Sequence, residues 1–200
     1  VVALHDEFAL AQQDSGVDVG RHFDLLFVGC GQIGKRVLEL LAPRIEHIEQ
    51  RYDLKTRVVA ISDRSGYLLK PTGLTQDQLM SLSDAKSRGH SISTLADGIE
   101  GTPTDMVESA LNFRLARPVL VDVSNDEGAY KLFEKAFELG TDIVTANKSP
   151  LSGALDVYER VVAPANADRL LRAESTVGAG LPVLDTIQLL RATGDQVQRI

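Results

Sequence analysis

Gly29-Cys30-Gly31-Gln32-Ile33-Gly34 follows the apolar run Asp24-Leu25-Leu26-Phe27-Val28 and leads into a helical pattern. That placement constrains the fold more than any other feature of the chain. A strand must deliver the backbone to a tight turn, and the first glycine makes the turn. The second lets main chain approach a pyrophosphate, and the third lets the helix pack closely on the strand. The helix N-terminus then offers unpaired N–H groups and a positive dipole end to an anion. A glycine motif between strand and helix reads as a dinucleotide site; its structural alternative is a glycine-rich turn with no ligand.

The rest of the pattern extends this unit. Val37, Leu38, Leu41, Ile45 and Ile48 recur at helical spacing, with Pro43 placed to interrupt them. A second strand is expected over 56–61, rich in β-branched residues. Weaker signals give helices over 75–88 and 104–113, the latter opened by Thr102 or Thr104. From there the alternation is regular: strands over 119–123, 143–146 and 170–174, helices over 127–139, 155–162 and 181–192, and a further strand from Val197. The expected fold is α/β, a Rossmann-like, doubly wound parallel sheet with helices on both faces.

Bulk properties narrow the function classes. Lys+Arg 21 against Asp+Glu 28 leaves a net charge of −7, which argues against nucleic acid as a partner. A single cysteine, Cys30, excludes an intrachain disulfide and reads as a small filler inside the glycine loop. No apolar stretch approaches the ~20 residues of a membrane span, so no membrane partner is expected. The N-terminus lacks a signal-peptide layout, and cytoplasmic residence is the expectation. His5, His22, His47 and His90 show no metal spacing.

Candidate site residues gather where strands are expected to end. Asp63 and Arg64 follow the second strand. There an acidic residue binds the ribose of NAD, whereas an arginine accommodates the 2′-phosphate of NADP. Asp63 argues for NAD and Arg64 for NADP, with the balance toward NADP. Ser124 and Asn125 follow the third strand, after Asp122, which reads as a holder of loop backbone. Asn147 and Lys148 follow the fourth. Glu174-Ser175-Thr176-Val177-Gly178-Ala179-Gly180-Leu181-Pro182 then connects a strand to a helix.

With these stretches in this order, the chain resembles the homoserine dehydrogenase family over about residues 23–200. That family joins a glycine-loop domain to an Asn-Lys motif and an E-x-x-V-G-x-G-x-P segment. The resemblance implies NAD(P)-dependent interconversion of aspartate semialdehyde and homoserine, in the threonine and methionine branch of amino-acid biosynthesis. It implies that Gly29, Cys30, Gly31, Gln32, Ile33 and Gly34 hold the pyrophosphate. It further implies that Ser124 and Asn125 lie beside the nicotinamide and that Lys148 stands between cofactor and substrate as the catalytic residue. Glu174 with Val177, Ala179 and Leu181 matches a monovalent-cation site for an ion such as sodium, whose hard oxygen ligands suit it. A family lysine near the cofactor has only a loose counterpart in Lys86, which is left unassigned.

The domain expectation is a preceding regulatory-type helix and linker over 1–21, a dinucleotide-binding domain over 22–178, and the start of a substrate domain over 179–200. Residues Val2 to Phe8 resemble the last helix of an aspartate kinase regulatory domain, as found in bifunctional aspartate kinase–homoserine dehydrogenases. The family's substrate and dimer-forming region comes after these residues. The parent enzyme is therefore expected to be a homo-oligomer, and these 200 residues alone to bind cofactor but turn over poorly. Two other readings stay open: a non-catalytic NAD(P)-binding regulatory module, and another reductase of a small carbonyl substrate.

Overall fold

The computed structural model describes residues 21–196 and 198, without the side chains of 165–167. The helix and linker expected over 1–21 lie, up to residue 20, outside the described residues, as does nearly all of the strand expected from Val197. Strands 99–100, 66–69, 55–62 and 22–28 neighbour one another in that order, as do strands 118–122, 142–145 and 171–172. The chain divides into two compact units between Val119 and Leu120, each described here by itself.

The first unit opens with β1 (His22–Val28), whose apolar residues are almost all buried. The glycine turn leads into α1 (Gln32–Leu41), a 3₁₀ turn over Ala42–Arg44, and α2 (Ile45–Tyr52). Pro43 sits in that 3₁₀ turn. The expected interruption therefore occurs where proline removes a helical N–H. Asp53 closes α2 in a left-handed conformation, φ 54°. The chain returns through β2 (Lys55–Ser62), which pairs with β1 in parallel from His22↔Lys55 to Val28↔Ser62. Val58, Val59, Ala60 and Ile61 are all fully buried, the signature of a central strand. Each large apolar side chain so buried contributes about 1.5–3 kcal/mol.

The all-parallel expectation needs one correction. β3 (Gly66–Leu69) pairs antiparallel with β2, and β4 (Ile99–Glu100) antiparallel with β3. The sheet is mixed, with its parallel strands in the majority of the expected positions. Four and two residues are too short for periodicity to reveal. The turn Asp63-Arg64-Ser65-Gly66 was the available signal of a reversal. Between these strands lies α3 (Gln76–Ser87), capped by Thr75 and Gln78 as a capping box. After them comes α4 (Pro103–Leu111), capped by Thr102 and Asp105 in the same way, with proline at its first position.

An ion pair between a fully buried carboxylate and a half-buried guanidinium braces the first unit. The Asp24 carboxylate, fully buried on β1, receives Nε and Nη2 of Arg57 from β2 at 2.7 Å each. It also accepts the Ala116 N–H at 2.7 Å, while Asp24 N donates to the Ala116 carbonyl at 2.9 Å. His22 Nε2 lies 3.4 Å from the same carboxylate. Burial and then the Arg57 charge push the His22 pKa down, so the imidazole is neutral at pH 7.

β5 (Pro118–Asp122) carries the chain from the first unit into the second. The second unit continues through α5 (Ala129–Glu138), β6 (Asp142–Thr145), the short α6 (Ser149–Ser152), α7 (Leu155–Ala167), β7 (Leu171–Arg172) and α8 (Val183–Ala192). β6 and β7 are parallel, Ile143 opposite Leu171. Leu120, Phe133, Ala136, Ile143 and Val161 are fully buried. The strand expected over 170–174 shortens to two residues because Glu174–Thr176 turns into a 3₁₀ segment. The last helix begins at Val183 rather than Leu181 because Pro182 occupies its N-cap. Among the described residues no helix is long and apolar enough to cross a membrane.

Arg57→Ala strands the Asp24 carboxylate without its cation. Urea denaturation is expected to show a loss of about 2–4 kcal/mol, below that of a fully buried pair because Arg57 is partly in solvent. The double variant Asp24→Asn with Arg57→Met, which keeps an acceptor for the Ala116 N–H, should lose clearly less. Equal losses in the two would mean that the pair is not what braces β1 against β2.

Candidate functional site

In the first unit, β1 ends at Val28 and Gly29 turns the chain with φ 96°, a conformation that glycine adopts without strain. Its N–H donates to the Ser62 carbonyl at 3.0 Å, tying the turn to the end of β2. Gly31 is the N-cap of α1, in an extended conformation, φ −83°. A Cβ placed on Gly31 would meet nothing within 4 Å. No side chain caps this helix, and its first turn holds no acidic residue. α1 therefore starts without a side-chain cap beside a residue without a side chain, which fits an anionic group at its leading N–H groups. Gly34 is buried within α1. Burial raises the Cys30 thiol to about 11, so it stays protonated and fills space.

The end of β2 is built around Asp63. Its Oδ1 accepts the Ser65 N–H at 2.7 Å and the Ser65 hydroxyl at 2.6 Å. Its Oδ2 accepts the Ile92 N–H at 3.1 Å and forms an ion pair with Lys86. Burial alone would raise this carboxyl. The bonds from Lys86, Ser65 and Ile92 outweigh it and hold the pKa below the usual carboxylate value. Arg64, next in sequence, is exposed. Lys86, unassigned on sequence, is thus a structural partner of Asp63. Only a long-range contact reveals this, since 23 residues separate the two.

The second unit has its own anchored loops. Asp122, fully buried at the end of β5, accepts the Ser124 N–H at 2.9 Å and lies 3.4 Å from Thr145 Oγ1. Its carbonyl accepts the Ala146 N–H at 2.8 Å. Burial pushes its carboxyl above the usual value, partly offset by Ser124, Asn147 and Thr145. Asp122 is thus a holder of loop backbone, as its position suggests. The buried Asn147 joins two loops: its Nδ2 donates to the Asp126 carbonyl at 2.8 Å, and its Oδ1 accepts the Ser149 N–H at 3.1 Å. Nothing in the sequence pattern marked Asn147 as the clamp beyond its place beside Lys148. Asn125 and Lys148 are exposed, and Lys148 is the N-cap of α6. The structure brings Ser124 within 3.4 Å of the Asn147 amide.

Further along, both Glu174 oxygens accept backbone N–H groups at the start of α8, Leu184 at 3.0 Å and Asp185 at 3.1 Å. The Leu181 carbonyl accepts the Val183 N–H at 2.8 Å. Ala179 adopts φ 54°, unusual for a residue with a side chain. Among the described residues no group of three or more His, Cys, Asp or Glu side chains is placed to hold a metal ion. An ion beside Glu174 would rest mainly on main-chain carbonyls. The carboxylate oxygens keep further lone pairs, and oxygen donors suit a hard cation.

Residues 29–170 match the family model described as the NAD-binding domain of homoserine dehydrogenase. The chain is 28% identical over 182 residues to the homoserine dehydrogenase of Schizosaccharomyces pombe, covering 88% of this chain and 45% of that protein. It is 28% identical over 177 residues to the bifunctional aspartokinase/homoserine dehydrogenase of Haemophilus influenzae, 88% of this chain and 20% of that one. A hyperthermophilic archaeal homoserine dehydrogenase mutant in complex with NADPH superposes with a TM-score of 0.63 at 26% identity. That match covers 83% of this chain and 48% of the archaeal one. The chain thus spans less than half the length of these relatives.

The two acidic residues at strand ends should respond oppositely to neutralisation. At pH 7, Asp63→Asn is expected to destabilise by about 1–3 kcal/mol, the scale of charge-assisted bonds lost. Asp122→Asn should be neutral or stabilising, because its folded-state carboxyl is disfavoured as an anion by burial. Since the folded Asp63 pKa is lowered, its contribution is complete above the unfolded carboxyl value of about 3.9. It is lost as pH falls through the lower folded value. Thermal melts from pH 7 to pH 2 should show the gap between wild type and Asp63→Asn closing only below about pH 4.

Proposed function

The chain belongs to the homoserine dehydrogenase family, whose NAD-binding domain it carries, and from that premise we propose that it serves the NADPH-dependent interconversion of aspartate semialdehyde and homoserine. The observation that carries the reading is Gly31, open on its side-chain flank at the uncapped start of α1. In this reading Gly29 to Gly34 receive the pyrophosphate on the first N–H groups of the helix. Arg64 meets the 2′-phosphate, which favours NADP over NAD. Ser124 and Asn125 serve the nicotinamide end. Residues 22–178 form the dinucleotide-binding domain, and the substrate domain begins at 179. The parent enzyme is a homo-oligomer.

The cofactor, when bound, supplies hydride to a carbonyl carbon. Reduction also requires a proton on the oxygen, from a placed group. Lys148 is that group in our reading. Its backbone is fixed by the clamp at Asn147 and by the turn it starts, since its carbonyl accepts the Leu151 N–H and the Ser152 hydroxyl, each at 3.0 Å. The ammonium can donate to the substrate oxygen and polarise the carbonyl. The Glu174 segment, with the Val177, Ala179 and Leu181 carbonyls, holds a monovalent cation such as sodium. Such an ion would neutralise the carboxylate while α8 keeps its N-terminal acceptor.

Two measurements test the reading. Gly31→Val should fold, because φ −83° suits an L-residue and the flank is open. Its melting temperature should match wild type while calorimetric NADPH binding is lost. Retained binding would sink the glycine turn as the pyrophosphate site. In the enzyme with its substrate domain, Lys148→Met should lower kcat by about 10²-fold or more, the scale of general acid–base catalysis. An unchanged kcat would remove Lys148 from the proton step.

A further inference from the structure

Three segments distant in sequence converge on the Asp63 carboxylate. They are the β2–β3 turn itself, the end of α3 through Lys86, and the 3₁₀ turn Ile92–Thr94 through the Ile92 N–H. Ser65 adds a second tie, its hydroxyl oxygen accepting the Ser93 N–H at 3.1 Å. The Asp63 N–H closes the turn on the Gly66 carbonyl at 2.9 Å. A carboxylate offers about four acceptor positions. Lys86, Ile92 and the two Ser65 donors take that many. A ribose hydroxyl would have to displace a donor that the fold already supplies.

Arg64 is therefore an exposed cation between two pinned residues. Asp63 is locked by four donors, and Ser65 is locked to both Asp63 and Ser93. No hydrogen bond or ion pair holds the guanidinium among the described residues, so it is free for a ligand while its backbone is not. The turn also stands against the glycine loop, because Gly29 N–H donates to Ser62, the residue before Asp63.

We propose that Asp63 is a positioning residue for 2′-phosphate recognition: it does not touch the cofactor, but holds the turn that presents Arg64 and so sets the preference for NADPH over NADH. This rests on the reading of the glycine turn as an NAD(P) site. It opposes the usual assignment of an acidic residue here as a reader of the adenosine ribose, and the two assignments predict opposite selectivity changes.

The test is calorimetric titration of the chain and its variants with NADPH and with NADH. Asp63→Asn places an amide nitrogen against the Lys86 and Ile92 donors and loosens the turn. NADPH affinity is expected to fall about tenfold, the worth of one charge-assisted contact, with NADH affinity unchanged. In an Arg64→Ala background, Asp63→Asn should cause no further loss of NADPH affinity, because it acts through Arg64. Should Asp63→Asn fail to fold, Ser65→Ala makes the same comparison, with an expected NADPH-selective loss of about threefold. A larger loss for NADH than for NADPH makes Asp63 the ribose reader and overturns the inference. Equal losses for both nucleotides, or a full additive loss in the Arg64→Ala background, reduce Asp63 to stability alone and overturn it as well. Wild type binding both nucleotides equally overturns this inference but leaves the NAD(P) reading standing. Wild type binding neither overturns both.

Discussion

Parallel pairing of β1 with β2 is the constraint on which the first unit depends. Because the strands run the same way, their C-terminal ends emerge on one edge, with Val28 opposite Ser62. The glycine turn and the Asp63 turn are therefore neighbours by construction, joined by the bond from Gly29 to the Ser62 carbonyl. The opposite end of the pair is held by Asp24 and Arg57, with Ala116 brought to the same carboxylate. The ion pair thus lies at one end of the strands, and the glycine turn and the Asp63 turn share the other, the end at which open α/β sheets gather their ligands.

Three carboxylates at or near strand ends have three environments. Asp24 is buried but paired bidentately with arginine, the geometry that best offsets desolvation. Asp63 is less buried and saturated by donors, so its anion is favoured. Asp122 is buried with neutral partners, so its anion is disfavoured. In the structure, each is occupied with backbone or with a cation of the same unit.

Legibility followed the range of the forces involved. The first strand, the interrupted helix at Pro43, the second strand, the Thr102 cap and the helix over Ala129–Glu138 were all readable, since each rests on local periodicity, a cap or proline sterics. The antiparallel strands β3 and β4 were not. β3 folds back on β2 through a local turn but is too short for periodicity to show, and β4 joins it only by long-range contact, such as Gly66 with Glu100. Asp63 and Arg64 were both visible as candidates, and the choice between them was not. The bonds that occupy Asp63 come from Lys86 and Ile92, which no spacing rule connects to it. The family was legible because its motifs are local strings in a fixed order.

A common design links the two exposed basic residues. Arg64 follows Asp63, whose side chain is fully engaged, and Lys148 follows Asn147, whose amide clamps two loops. In each case a polar residue absorbs the hydrogen-bonding needs of a turn at the end of a strand, and the next residue is left with a fixed Cα and an unengaged cation. A long basic side chain is entropically expensive to order, so binding through it is strongest when the backbone beneath it has already been ordered by folding. Polar anchors do that where an apolar anchor would not, because strand ends leave N–H and carbonyl groups that must be satisfied. The anchors at Asp63 and Asn147 thus convert an obligation of the sheet edge into preorganised positions for charge.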